Sequence, residues 1–250
     1  MSSRRRPSAA LLAGGIILVL LAGLAVAADR WHVRQTENAL LRLPADEILA
    51  SAPLTAFADE RGPALYADHC ASCHGAKLEG DLKRGVPSLG DAEWLYGTGA
   101  VSDIEQTIQY GIRSGHPKAH NITDMPAFLR IGQLSAVEID DVVEYLLSLS
   151  NKPHDAAAAQ RGDALYQNKG NCFDCHSSDA LGNPDYGAPA LTGLAWNYGG
   201  DRETLRDSVI NGRHGLCPAW GNELKPAAVR ELAVYLHNVS QQAARRAPRG

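Results

Sequence analysis

The chain has 250 residues, 45% of them apolar and 21% charged, and a formal net charge of −4. That balance excludes a disordered, collagen-like or coiled-coil chain, and without a basic excess there is no electrostatic footprint for nucleic acid. The length allows one or two domains, and five cysteines leave one thiol outside any complete set of disulfides.

Residues 1–8 include Arg4, Arg5 and Arg6, and an uncharged run of twenty residues follows from Ala9 to Ala28. At about 1.5 Å per residue such a helix spans the roughly 30 Å core of a bilayer. The arginines before the run keep residues 1–8 in the cytoplasm and send everything after Asp29 to the periplasmic side. Ala25-Val26-Ala27 also has the A-x-A form of a signal-peptide cleavage site, so residues 9–28 are either an uncleaved single-pass anchor or a removed signal peptide. The length of the run favours the anchor, and export is common to both. Residues 29–56 read as a tether or short helix.

From there the sequence repeats itself. Arg61-Gly62-x-Ala64-Leu65-Tyr66 returns as Arg161-Gly162-x-Ala164-Leu165-Tyr166, at offset 100. Cys70-x-x-Cys73-His74, Gly85-x-Pro87-x-Leu89 and Trp94-x-Tyr96-Gly97 return at offset 102 as Cys172-x-x-Cys175-His176, Gly187-x-Pro189-x-Leu191 and Trp196-x-Tyr198-Gly199. Pro126-Ala127-Phe128 returns as Pro218-Ala219-Trp220 at offset 92, and Tyr145-Leu146 as Tyr235-Leu236 at offset 90. Motifs at a nearly constant offset mean two copies of one domain, 57–150 and 151–240, joined at Asn151-Lys152-Pro153-His154. The drop in offset places an insertion of about eight residues between Arg113 and Met125.

Each copy reads as helical. Ser135-Ala136-Val137-Glu138 has the capping-box pattern, and Ile139, Val142, Val143, Leu146 and Leu149 follow at helical spacing. Pro226 opens the equivalent helix of the second copy, continued by Val229, Leu232, Ala233, Leu236 and Val239. Residues 241–250 read as a flexible tail. A helical domain of this size has a small core unless a prosthetic group fills it.

Cys-x-x-Cys-His is the attachment motif of c-type haem. Cys70, Cys73, Cys172 and Cys175 form thioethers to two haem groups, and His74 and His176 ligate iron on the proximal side. A zinc site would want four ligands per ion, and a redox dithiol has no need of the histidine. For the sixth ligand, Met125 is the one methionine beyond Met1 and is assigned to the first haem, with His116 and His120 as nearby competitors. The second copy has no methionine. Its equivalent position is Cys217, the cysteine left over by the haem count. Three arrangements remain open at the second haem: a Cys217 thiolate, His214 in a bis-histidine pair, or five-coordinate iron with Cys217 as a packed bystander.

These motifs, in order, resemble the dihaem cytochrome c subunit (subunit III, the P subunit) of cbb3-type cytochrome c oxidases. The matching stretches are LPADEI, ADHCASCHG, WLYG, GIRSGHP…DMPAF and YLLSLS in the first copy, and GAPALTGLAWNYGG, NGRHG and PAW in the second. The resemblance implies an all-α protein with tandem class I cytochrome c domains on a single N-terminal transmembrane helix of the inner membrane. It implies two covalent haem c groups, with Pro87 and Pro189 carbonyls accepting from the proximal histidines. It also implies electron relay from a soluble or membrane-bound cytochrome donor to the catalytic and cytochrome subunits of an oxidase that reduces O2. The family ordinarily has methionine where Cys217 stands. That departure motivates two other readings: a thiosulfate dehydrogenase-like enzyme, by analogy, and a haem-based redox or gas sensor.

Overall fold

The computed structural model describes residues 9–121, 124–193 and 196–246. The expected cytoplasmic segment 1–8 and residues 247–250 of the expected tail lie outside the described residues, as do the side chains of 9–14 and 16 within the expected anchor. Nine α-helices occur among the described residues: α1 Ala9–Arg42, α2 Ala52–His69, α3 Ala71–His74, α4 Val101–Tyr110, α5 Ala136–Leu149, α6 Ala156–Gln167, α7 Phe173–His176, α8 Arg202–Asn211 and α9 Pro226–Arg246. A 3-10 helix, Ala45–Ala50, joins α1 to α2. Only isolated β-bridges occur besides these.

Among the described residues no helix is long and apolar enough to cross a membrane. Nevertheless α1 leaves Ile17, Leu18, Val19, Leu20, Leu21 and Leu24 more than half exposed. Its C-terminal end is different: Leu40 is fully buried in the first core, where α1 packs against α9 and α2. Arg230 of α9 locks this end by donating to the Leu40 and Leu43 carbonyls at 3.1 and 3.0 Å while pairing with Glu105 of α4 at 2.6 Å. Helix thus continues through much of the segment expected to be a tether. Likewise α9 runs on to Arg246, into the segment expected to be a tail.

The helix boundaries follow local chemistry. Ser135 caps α5 with the reciprocal Glu138 bond of a capping box, and Asp155 and Asp201 cap α6 and α8. Helices α4 and α8 both stop at a glycine in the left-handed region, Gly111 (φ +75°) and Gly212 (φ +71°). A side chain at Gly111 would strike the Cys217 carbonyl, and one at Gly212 the Met125 carbonyl.

Packing does not follow the two halves of the sequence. The first core joins α2, α3 and α4 to α9, with Ile48, Tyr66, Val101, Ile104, Leu232 and Val234 buried at its centre. The second joins α5, α6 and α8, around Leu134, Ile139, Val142, Tyr166, Leu205 and Val209. The last helix of each sequence half, α5 or α9, thus packs on the first helix of the other half, α6 or α2. Among the described residues the chain passes from the first core to the second between α4 and α5, and back between α8 and α9.

The exchange has a physical basis. The repeats are equivalent, so the interface between a copy's first and last helices is satisfied by either partner. Gly62 of α2 packs on Tyr235 of α9, and Gly162 of α6 on Asp141 and Tyr145 of α5. Arg61 pairs with Glu231 at 2.9 Å, and Arg161 with Asp141 at 2.5 Å. Six residues, 150–155, join α5 to α6. Consecutive helices with so short a connection pack antiparallel at low loop-closure cost, and swapping an identical element is inexpensive. The longer crossing, 113–124, contains the insertion.

Candidate functional site

Each Cys-x-x-Cys-His motif forms a single helical turn, α3 or α7, at the end of the long helix before it. The turn projects Cys70, Cys73 and His74, or Cys172, Cys175 and His176, into one cavity of about 960 Å³. The ring of His74 lies with Nδ1 2.9 Å from the Pro87 carbonyl, and His176 has the same 2.9 Å contact with Pro189. A carbonyl only accepts, so Nδ1 carries the proton and Nε2 keeps its lone pair for the cavity. Burial lowers the pKa of both rings, favouring the neutral, ligating form.

The distal walls come from the crossing points. Ile112, just past α4, exchanges two backbone hydrogen bonds with Cys217 at 2.9 and 3.0 Å. Arg213, just past α8, does the same with Met125 at 3.0 and 3.2 Å. Trp220 then donates its backbone N–H to Ile108 and Phe128 donates to Val209. Each distal segment is thus paired to a helix of the opposite repeat.

This sorts the candidate ligands into two groups. Cys217 is on the Cys70 and Cys73 side: burial and then Cys73 push its thiol up to about 11, and burial and then Cys217 push Cys70 up to about 12. Met125 packs against the second core, as do Cys172, Leu191 and Trp196. From the repeat alone Met125 falls to the first motif, and Cys217, His214 or neither to the second, on the premise that each copy closes on itself.

The competing histidines stand apart from the cavity wall. His116 stacks on Tyr110 at 4.8 Å, and its Nδ1 accepts from the Lys118 backbone at 3.1 Å. His120 stacks on Tyr96 at 4.4 Å and contacts Thr107 Oγ1 at 3.2 Å. His214 is exposed.

The cavity fits a large, mostly apolar disc with polar edges. Its walls include Leu89, Ile104, Ile108, Val142, Leu146 and Leu205. Arg84, Arg113 and Arg213 also reach it. Trp196 Nε1 is buried without a hydrogen-bond partner among the described residues. Two tyrosines, Tyr96 and Tyr198, also line the cavity. Their repeat at offset 102 was visible in the sequence; the residues they touch were not.

Comparison with known proteins identifies the family of these domains. The cytochrome c family model matches residues 60–150, and the family model described as cytochrome c oxidase, cbb3-type, subunit III matches residues 157–236. The chain is 42% identical over 190 residues to the cbb3-type cytochrome c oxidase subunit FixP of Bradyrhizobium sp. (strain ORS 278), covering 74% of this chain and 62% of that protein. It is 40% identical over 208 residues to the subunit CcoP of Azospirillum brasilense, covering 81% and 69%. With FixP of Azorhizobium caulinodans the identity is 39% over 213 residues, covering 84% and 70%. The chain thus spans between 62% and 70% of the length of these relatives. Its two domains are cytochrome c domains of the helical class I type, and such domains carry covalently bound haem c.

Proposed function

The chain belongs to the subunit III family of cbb3-type cytochrome c oxidases, and we propose that it passes electrons from a cytochrome donor toward the oxidase core. The observation that carries this reading is the single cavity into which both Cys-x-x-Cys-His turns open. When bound, two haem c groups supply reversible one-electron chemistry. The polypeptide's part is to hold them at fixed orientation, in apolar surroundings and within one compartment.

In this reading Cys70 and Cys73 hold the first haem and Cys172 and Cys175 the second. Proximal ligands are His74 and His176, oriented by the Pro87 and Pro189 carbonyls. The distal ligands are crossed: Cys217 serves the first haem and Met125 the second. Support comes from the backbone pairing of Ile112 with Cys217 and of Arg213 with Met125. A thiolate stabilises Fe(III) and lowers the potential, whereas a thioether raises it. The two centres therefore differ in potential, and the lower one lies in the core that also holds the end of α1.

Helix α1 serves as the membrane anchor, with residues 1–8 in the cytoplasm and both cytochrome domains on the periplasmic face. The apolar run of residues 9–28 and the exposed leucines of α1 support this. The partners are the catalytic and cytochrome subunits of the oxidase, a soluble or membrane-bound cytochrome donor, and lipid.

The test is anaerobic reduction of the full chain in membranes, followed by addition of O2. Rapid reoxidation of both haems only when a haem-copper catalytic subunit is co-expressed is the expected result; reoxidation independent of that subunit refutes the assignment. Cys217 also motivates a sulfur-compound dehydrogenase, and haem reduction by thiosulfate in the purified chain is the outcome that would favour it.

A further inference from the structure

Two tyrosines at equivalent places in the repeats reach across between the cores. The ring of Tyr96, only 7% exposed, lies against Gly187 so closely that no side chain could stand there. Gly187, at φ +66°, lies two residues before Pro189, whose carbonyl orients His176. The Tyr96 hydroxyl accepts from Arg113 Nη1 at 3.3 Å, and Arg113 Nε donates at 2.5 Å to the carbonyl of Gly215, two residues before Cys217. Tyr198 repeats the arrangement. Its ring closes off Gly85 (φ +65°), two residues before Pro87, which orients His74. The guanidinium of Arg213 lies 4.2 Å from the centre of that ring, and the Arg213 backbone is the one paired with Met125. Arg213 is itself fixed by Ser208 at 2.9 Å and Asp207 at 2.7 Å.

Each tyrosine therefore joins the proximal segment of one site to the distal segment of the other. Tyr96 links the His176 segment to the Cys217 segment, and Tyr198 links the His74 segment to the Met125 segment. We propose that Tyr96 and Tyr198 are positioning residues that couple the two haem irons, each transmitting a change in ligand geometry at one iron to the other. The inference rests on the two-haem, crossed-ligand reading. Its physical warrant is the packing: each ring stands against glycine backbone with no room for even a Cβ between them, so a displaced segment pushes on the ring. Glycine at 85 and 187 is required twice over, by φ and by the ring seated on it.

The two tyrosines differ in how they grip the distal segment. Tyr96 holds through its hydroxyl, while Tyr198 holds through its ring face, a cation–π contact that needs no hydroxyl. The experiment uses the full chain with both haems attached and reads the low-temperature EPR g-values of the two low-spin ferric centres. Tyr96→Leu shifts both signals, and so does Tyr198→Leu. Tyr96→Phe keeps the ring on Gly187 and loses the bond to Arg113, so it shifts the Cys217-side signal and leaves the His176 proximal geometry in place. A shift confined to one centre in both leucine variants overturns the coupling. Should those variants fail to retain haem, equal behaviour of Tyr96→Phe and Tyr198→Phe overturns it. Absence of two distinct low-spin signals in the unmodified chain would instead count against the ligand reading, so the two failures are separable.

Discussion

The crossed arrangement predicts which haem carries the thiolate. Cys217 is backbone-paired with Ile112, just past α4, whereas Met125 is backbone-paired with Arg213, just past α8, and packs against the second core. Substituting Cys217→Met replaces a charged donor by a neutral thioether at the haem attached to Cys70 and Cys73. A ligand exchange of this kind moves the potential by roughly 300 mV, inside the ~0.8 V that axial ligands command. At about 59 mV per decade for one electron this is about five decades in the equilibrium. It corresponds to about 7 kcal/mol at ~1.4 kcal/mol per decade. The assay is optical redox titration with EPR on the full chain, repeated in two variants that each lack one attachment motif. With Cys172 and Cys175 replaced by alanine, the thiolate signal persists and still disappears on Cys217→Met. With Cys70 and Cys73 replaced, only the histidine–methionine centre remains. A thiolate signal that vanishes with Cys172 and Cys175 would refute the crossing and restore the linear pairing. A spectrum indifferent to Cys217→Met would remove the thiolate altogether.

Three further outcomes follow from the packing. Gly162→Val drives methyl groups into the Asp141 carbonyl between α6 and α5; overpacking of this kind costs about 1–3 kcal/mol, to be read as a lowered thermal midpoint with loss of the haem at Cys172 and Cys175 before the other. Arg161→Met leaves the nearly buried Asp141 without its bidentate partner at 2.5 and 2.8 Å, a destabilisation measurable by denaturant unfolding and relieved by the added change Asp141→Leu. Lys169 and Ser135 hold the Glu138 carboxyl down to about 2, against 4.5 ordinarily. A depressed carboxylate stabilises the fold above its unfolded pKa and stops doing so as pH falls through its folded one. Glu138→Gln therefore weakens the protein at pH 7 and flattens its acid sensitivity between pH 4.5 and about 2, which unfolding curves at a series of pH values would show.

Much of the site was legible because its signals are local. The Cys-x-x-Cys-His turns fix two thiols and an imidazole within five residues, and the Gly-x-Pro motifs stand thirteen residues after each histidine, where the carbonyl contact forms. The change of offset between Arg113 and Met125 marked the longer crossing. What the sequence left open was partner choice. Arg61 suits Glu231 or Asp141 equally well, and Gly62 admits the tyrosine of either last helix, because duplicated segments carry duplicated complementarity. Motif matching cannot separate the alternatives; connection length and the placement of Gly111 and Gly212 against the two distal carbonyls do. The tyrosine contacts were hidden for the same reason, since a repeated Tyr says nothing of which Gly it will cover.

The same duplication makes a statement about half of the chain. In residues 43–150 alone, α9 is missing, so α2 and α4 have lost the partner for Gly62, Arg61 and Ile108. Helix α5 is the repeat equivalent of α9 and offers Tyr145 for Tyr235 and Asp141 for Glu231. Closing α5 onto α2 within one copy costs loop entropy that grows only slowly with length. It also relieves the exposed apolar face left by removing α9. The truncated chain is therefore expected to close on itself, bringing Met125 to the haem at Cys70 and Cys73. Its single centre would be histidine–methionine and of high potential, whereas the crossed reading gives the same haem a thiolate in the whole chain. Potentiometry and EPR on the truncated and whole chains read the difference directly. A truncated chain that holds haem but lacks a methionine ligand would show that the two last helices are not interchangeable, and that the crossing is set by the helix surfaces themselves rather than by the connections.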